Sequence, residues 1–157
     1  MVGPLRLVCF ELRGQELAIS IDDVRETVPV QPVTRVFLTP ICLAGVFSLR
    51  GEIVPAIDLA VLFGLPRTEV GAESKIVVIE HAEGPAGIIV DRLRDLRTID
   101  ALEPPPSNLP ADVAGLLLGV AATDTGTVRV LDARAVLTAE PMRVLAEGPD
   151  ADRGQPA

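Results

Sequence analysis

Arg50 is the residue in this chain best placed to do chemistry with another molecule. It follows Leu49 at the end of an apolar run and precedes Gly51, so a strand-to-strand turn would hold its guanidinium at a fixed point. A guanidinium held there is either paired inside the chain or offered to a protein partner, because burying it alone is costly. Glu26 is the expected internal partner.

Catalysis would need a nucleophile with a base, a carboxylate pair or a metal site. The one histidine, His81, lies beside Glu83-Gly84-Pro85 and reads as a solvated turn residue. Cys9 and Cys42 stand in apolar stretches. They suit neither a disulfide framework nor a zinc site and read as reduced core residues. No phosphate-binding glycine loop occurs, so no cofactor and no metal are expected. Asp124-Thr125-Gly126 has the residue order of aspartic-protease loops, in which two aspartates share a proton. A dimeric aspartic hydrolase using Asp124 therefore stands as an alternative, although such stretches are ordinary in hairpin turns. Asp58 and Asp132 each precede a short helical stretch and read as caps, worth about 0.5–2 kcal/mol apiece.

An internal repeat must position these residues. Gly45 to Asp58 returns as Gly119 to Asp132, with the same thirteen-residue step. Val8, Ile19, Asp22 and Arg25 recur 69 residues later as Val77, Ile88, Asp91 and Arg94. Two units of about 70 residues, each too small for a generous core, would stack or intertwine and leave a cleft between them. The repeat also weakens the hydrolase reading, because the first-half turn matching Asp124 carries Arg50-Gly51-Glu52 and builds no carboxylate dyad.

The elements read as short strands. Residues 6–12 and 16–21 form a hairpin across Arg13-Gly14-Gln15. Asp22 could cap one helical turn, and Pro29, Pro32 and Pro40 forbid a long helix after it. A second hairpin turns at Arg50-Gly51-Glu52, and a short helix follows Asp58. Residues 67–74 read as a junction, after which the pattern restarts with a hairpin across residues 81–85, an extended stretch over 91–99 and a proline loop to about Pro110. A last hairpin and a helix over about 133–139 close the chain, and 140–157 reads as a flexible tail. Many short strands with Gly/Pro turns indicate an all-β architecture, closed into two small barrels to remove exposed edges.

Apolar residues make up 48% of the 157-residue chain and aromatics only 3%, so the core must be aliphatic. The formal charge of −8 and the scattered basic residues argue against nucleic acid or an anionic membrane as partner. No apolar run approaches the roughly 20 residues of a membrane span, so the expectation is a cytoplasmic protein without membrane insertion.

Phe10-Glu11-Leu12, Asp23-Val24-Arg25-Glu26, Thr39-Pro40, Gly45 through Gly51, Val54-Pro55-Ala56-Ile57-Asp58-Leu59, Gly87 through Asp91 and Leu131-Asp132 follow one another in an order that resembles the CheW family of chemotaxis coupling proteins, over about residues 5–138. The resemblance implies a CheW-like fold of two five-stranded SH3-like β-barrels around a shared hydrophobic core, within one domain over 1–139. The first barrel would span about 5–66 and the second about 74–138, with the chain free to cross between them. It further implies a non-enzymatic adaptor that joins the cytoplasmic tip of chemoreceptors to the regulatory domain of the histidine kinase CheA, recruited to membrane-associated receptor arrays. The family's partner-binding positions fall on Val24, Glu26, Arg50, Gly87, Leu93 and Leu96. The chain departs from the family pattern at Ser48 and Ala60, which leaves a scaffold of another motility or kinase pathway, twitching or gliding, as an open alternative.

Overall fold

Leu5–Leu12 (β1) and Gln15–Ser20 (β2) fold back on each other because Arg13 and Gly14 both take left-handed backbone, at φ 55° and 78°. That is the geometry of a two-residue type I′ loop, whose twist matches the strands it joins. Arg50 and Gly51, at φ 50° and 85°, repeat it between Leu43–Leu49 (β4) and Glu52–Asp58 (β5). The remaining strands are Val24–Pro29 (β3), Lys75–His81 (β6), Gly84–Val90 (β7), Arg92–Ile99 (β8), Leu117–Thr123 (β9) and Gly126–Leu131 (β10). Three short helices, Leu59–Leu62 (α1), Ala111–Ala114 (α2) and Ala133–Leu137 (α3), complete the described elements, with a single 3-10 turn at Ile21–Asp23. The computed structural model describes residues 4–36, 39, 42–81, 84–124 and 126–139. The expected tail 140–157, Thr125 of the Asp-Thr-Gly stretch, Ala82 and Glu83 of the turn expected over 81–85, and Pro40 lie outside those residues.

The strands form two five-stranded sheets, ordered β8-β1-β2-β10-β9 and β3-β6-β7-β5-β4. The expected all-β class is met. The expected division of the barrels at 5–66 and 74–138 is not the division of the sheets, because each half lends its first hairpin to the other half's strands. The β1–β2 hairpin is flanked by β8 and β10, and β6–β7 by β3 and β5. The crossing is favoured because these hairpins are apolar on both faces and must be covered twice. Phe10, Leu12, Leu17 and Ile19 face the largest core cluster, between the sheets, together with Val77, Ile79, Ile88 and Val90 from the other hairpin. Their alternate neighbours fill the two barrel interiors, Leu7, Cys9 and Ala18 in one and Ile76, Val78 and Ile89 in the other.

Each sheet closes through a bridge made by the chain beyond its outer strand. Thr34 and Val46 exchange two backbone hydrogen bonds of 2.8 Å, and Glu103 and Val120 exchange bonds of 2.9 and 2.8 Å. Gly45 and Gly119 lie against these seams. A Cβ there would sit 2.3 Å from the Thr34 carbonyl oxygen or 2.5 Å from that of Glu103, so each close approach requires glycine.

Three local expectations are corrected. The 3-10 turn is capped by Ser20, whose hydroxyl accepts from the Asp22 N–H at 3.2 Å, so Asp22 is not the cap. Residues 24–29 form a strand that pairs with β6, since pairing outweighs a local capping signal. Asp58 makes no side-chain bond to α1. It accepts from the N–H and the hydroxyl of Thr68 at 2.9 and 2.8 Å, whereas Asp132 caps α3 as expected, through the Ala135 N–H at 3.1 Å.

Candidate functional site

The hairpin tip between β4 and β5 carries the expected pair. Arg50 Nη2 donates to Glu26 Oε1 at 2.6 Å and Nη1 to Oε2 at 2.5 Å, a bidentate fork. The Arg50 side chain remains 70% exposed and that of Glu26 20%, so the guanidinium keeps its outer face open. The hydrogen bonds from Arg50, and then its charge, hold the Glu26 carboxyl below its ordinary range, while Glu26 raises the Arg50 pKa in return. Both groups stay charged across the physiological range, which suits a permanent electrostatic feature better than a proton-transfer pair. A left-handed φ at a non-glycine residue costs roughly 1–2 kcal/mol, so the turn holds Arg50 against a local preference.

The other expected positions distribute as follows. Val24 and Leu93, matched by the repeat, pack half-buried against the shared core. Leu96 lies on β8 of the other sheet, 63% exposed. Gly87 is inside its barrel, where an added Cβ would meet Ile76 at 2.6 Å and Phe47 at 2.9 Å. Its part in any surface is therefore indirect, through the packing of Phe47. Of the six expected positions, Glu26 and Arg50 are in direct contact, and the other four are spread over both sheets. Arg25 and Glu52, which bond beside them at 3.1 Å, were not singled out from the sequence. The match of Arg25 to Arg94 in the repeat was the available signal.

Elsewhere the chemistry is structural. Cys9, Glu16 and Asp95 bring ligand-type atoms within 4.8 Å of one another. The guanidinium of Arg97 stands 3.5 Å from both carboxylates, where a cation would sit. Burial first, then Glu16, pushes the Cys9 thiol up to about 11, so it stays protonated and poorly suited to metal. Asp124 is exposed at its turn, at the place that Arg50 fills in the first half. Among the described residues no helix is long and apolar enough to cross a membrane.

The CheW-like domain family matches residues 6–140. The chain is 30% identical to the chemotaxis protein CheW of Bacillus subtilis over 137 residues, covering 86% of this chain and 88% of the relative. It is 28% identical to Protein FrzA of Myxococcus xanthus over 113 residues, covering 71% of each. Among solved structures, the scaffolding protein TtCheW from Thermoanaerobacter tengcongensis superposes with a TM-score of 0.75 at 30% identity, covering 84% of this chain and 86% of that one.

Proposed function

The chain belongs to the CheW family of chemotaxis proteins, and from that premise we propose that it is a non-enzymatic adaptor coupling chemoreceptor tips to the regulatory domain of a CheA-type histidine kinase in the cytoplasm. The observation that carries this reading is the Arg50–Glu26 fork, an exposed guanidinium held in a bidentate ion pair at a hairpin tip. To the same docking surface we assign the half-buried Val24 and Leu93 and the exposed Leu96, with Gly87 acting on it only through the packing of Phe47. Contacts of this kind work by repetition in a packed array. Micromolar affinity, about −8 kcal/mol per contact, is enough when many act together.

Receptor-dependent kinase activation, reconstituted with this protein, tests the reading. Arg50→Ala and Glu26→Ala should leave the fold intact and abolish coupling. Normal coupling by both variants would remove this surface as the partner site. The likeness to Protein FrzA favours one second reading, a scaffold for another motility or kinase pathway, and the identity of a co-purified kinase separates the two.

A further inference from the structure

Among the described residues, the Arg50–Glu26 fork is one of two ion pairs across the same seam. β3 and β4 stand at opposite ends of their sheet's strand order, yet β3 reaches the β4–β5 turn twice, because Arg25 Nη1 also donates to Glu52 Oε1 at 3.1 Å. The charges are crossed. Arg25 and Glu26 on β3 meet Glu52 and Arg50 around the turn, so a slip of one residue would set Arg25 against Arg50.

A regular strand would send Arg25 and Glu26 to opposite faces. The bulge at Arg25, between the Val24↔Ile79 and Glu26↔Val78 pairs, re-aims one of them so that both meet the turn. Arg25 is anchored from its other side by Glu80, whose Oε1 lies 3.7 Å from its Nε.

The second half gives an internal comparison. Arg94, the match of Arg25, pairs with Glu11, the match of Glu80. The matches of Glu52 and Arg50 are Gly126 and Asp124, which cannot complete the crossed pair. The strand-anchoring link is thus kept in both halves, and the arm across the seam is present only where Arg50 is.

We propose that Arg25 is a positioning residue for Arg50: by bonding Glu52 it holds the Arg50-Gly51 turn onto β3, so the guanidinium meets a partner already in place. The partner half of this proposal rests on the reading of Glu26 and Arg50 as the docking contact. The test uses the full chain with Arg25→Gln, Glu52→Gln and the doublet. Amide hydrogen exchange at Glu52, which pairs with Leu49 to close the turn, is read without any partner, and affinity is read for the regulatory domain of a CheA-type kinase. Each single variant should speed exchange in this turn and weaken affinity by about 3-fold, the scale of an exposed ion pair. The doublet should be no worse than either single, the Gly126 amide should be unaffected, and the differences should shrink in high salt. Wild-type exchange in Arg25→Gln, or wild-type affinity in that variant while Arg50→Ala loses binding, would overturn the proposal. If the unsubstituted chain captures no kinase domain but Arg25→Gln still loosens the turn, the docking reading falls and the hold of Arg25 on Arg50 stands.

Discussion

Asp58 and Asp132 occupy matching places in the two halves, each at the end of a strand and the start of a helix, and they hold different neighbours. Their backbone N–H groups make the same bond, to Cys42 O at 2.7 Å and to Leu116 O at 2.9 Å. Their carboxylates diverge. Asp132 stays local and caps α3, while Asp58 is buried and ties Thr68, in the segment joining the halves, to the end of β5.

That divergence predicts unequal costs. Asp58→Ala leaves a buried site without its hydrogen bonds and releases the connecting segment, and should cost about 1–3 kcal/mol. Asp132→Ala removes one cap bond and should cost about 1 kcal/mol. Urea unfolding of the two variants measures the difference, and faster amide exchange at Thr68 should appear in the first alone.

The seams make a second prediction. Alanine at Gly45 or Gly119 forces a Cβ into a backbone carbonyl, and at Gly87 into Ile76 and Phe47. Each substitution should destabilise by about 1–3 kcal/mol through overpacking. Gly14→Ala meets no atom, so its cost should reflect only the left-handed backbone, roughly 1–2 kcal/mol. Thermal melts of the four variants rank them.

The pH dependence of the docking pair follows from its direction of shift. Glu26 has a folded-state pKa below its unfolded value, so its contribution to stability is fully present above the unfolded carboxylate pKa and is lost as pH falls through the depressed folded one. Carbon-detected titration should give Glu26 a midpoint below the ordinary carboxylate range, and Arg50→Ala should return it toward that range. The effect on stability should be small and salt-sensitive, because Arg50 is largely in water.

Thiol chemistry gives a fourth. Cys9 and Cys42 are both buried, and burial raises both pKa values. An aromatic disulfide reagent near pH 8 should label neither in the native protein. Labelling should follow the unfolding transition in denaturant, and fast native-state reaction of Cys9 would contradict its place inside the β1-β2-β8-β9-β10 barrel.

Much of this was legible in the residues themselves. The glycine-to-aspartate echo and the 69-residue echo gave the duplication, because matched strands need matched apolar spacing. Arg13-Gly14 and Arg50-Gly51 gave two hairpins, because a two-residue loop needs left-handed backbone. The need of Arg50 for a partner followed from the cost of an isolated guanidinium at a turn, and Glu26 was the expected one. β3 is not legible in the residues although its match, β8, reads as extended, because Asp22 and Asp23 suggest a helix and the later prolines carry no strand signal. α2 was hidden behind the prolines ending at Pro110.

The sequence by itself determined the class and the repeat, since periodicity and turn chemistry are properties of residues and their near neighbours, and it offered Glu26, 24 positions away, as the partner of Arg50. Only the tertiary structure decided that the halves exchange their first hairpins. A strand pattern states that two faces are apolar but not which sheet covers each, and that choice depends on burying both at once. The same closure brought Arg25 to Glu52 and sent Asp58 to Thr68, contacts between residues 27 and 10 positions apart that no local rule connects.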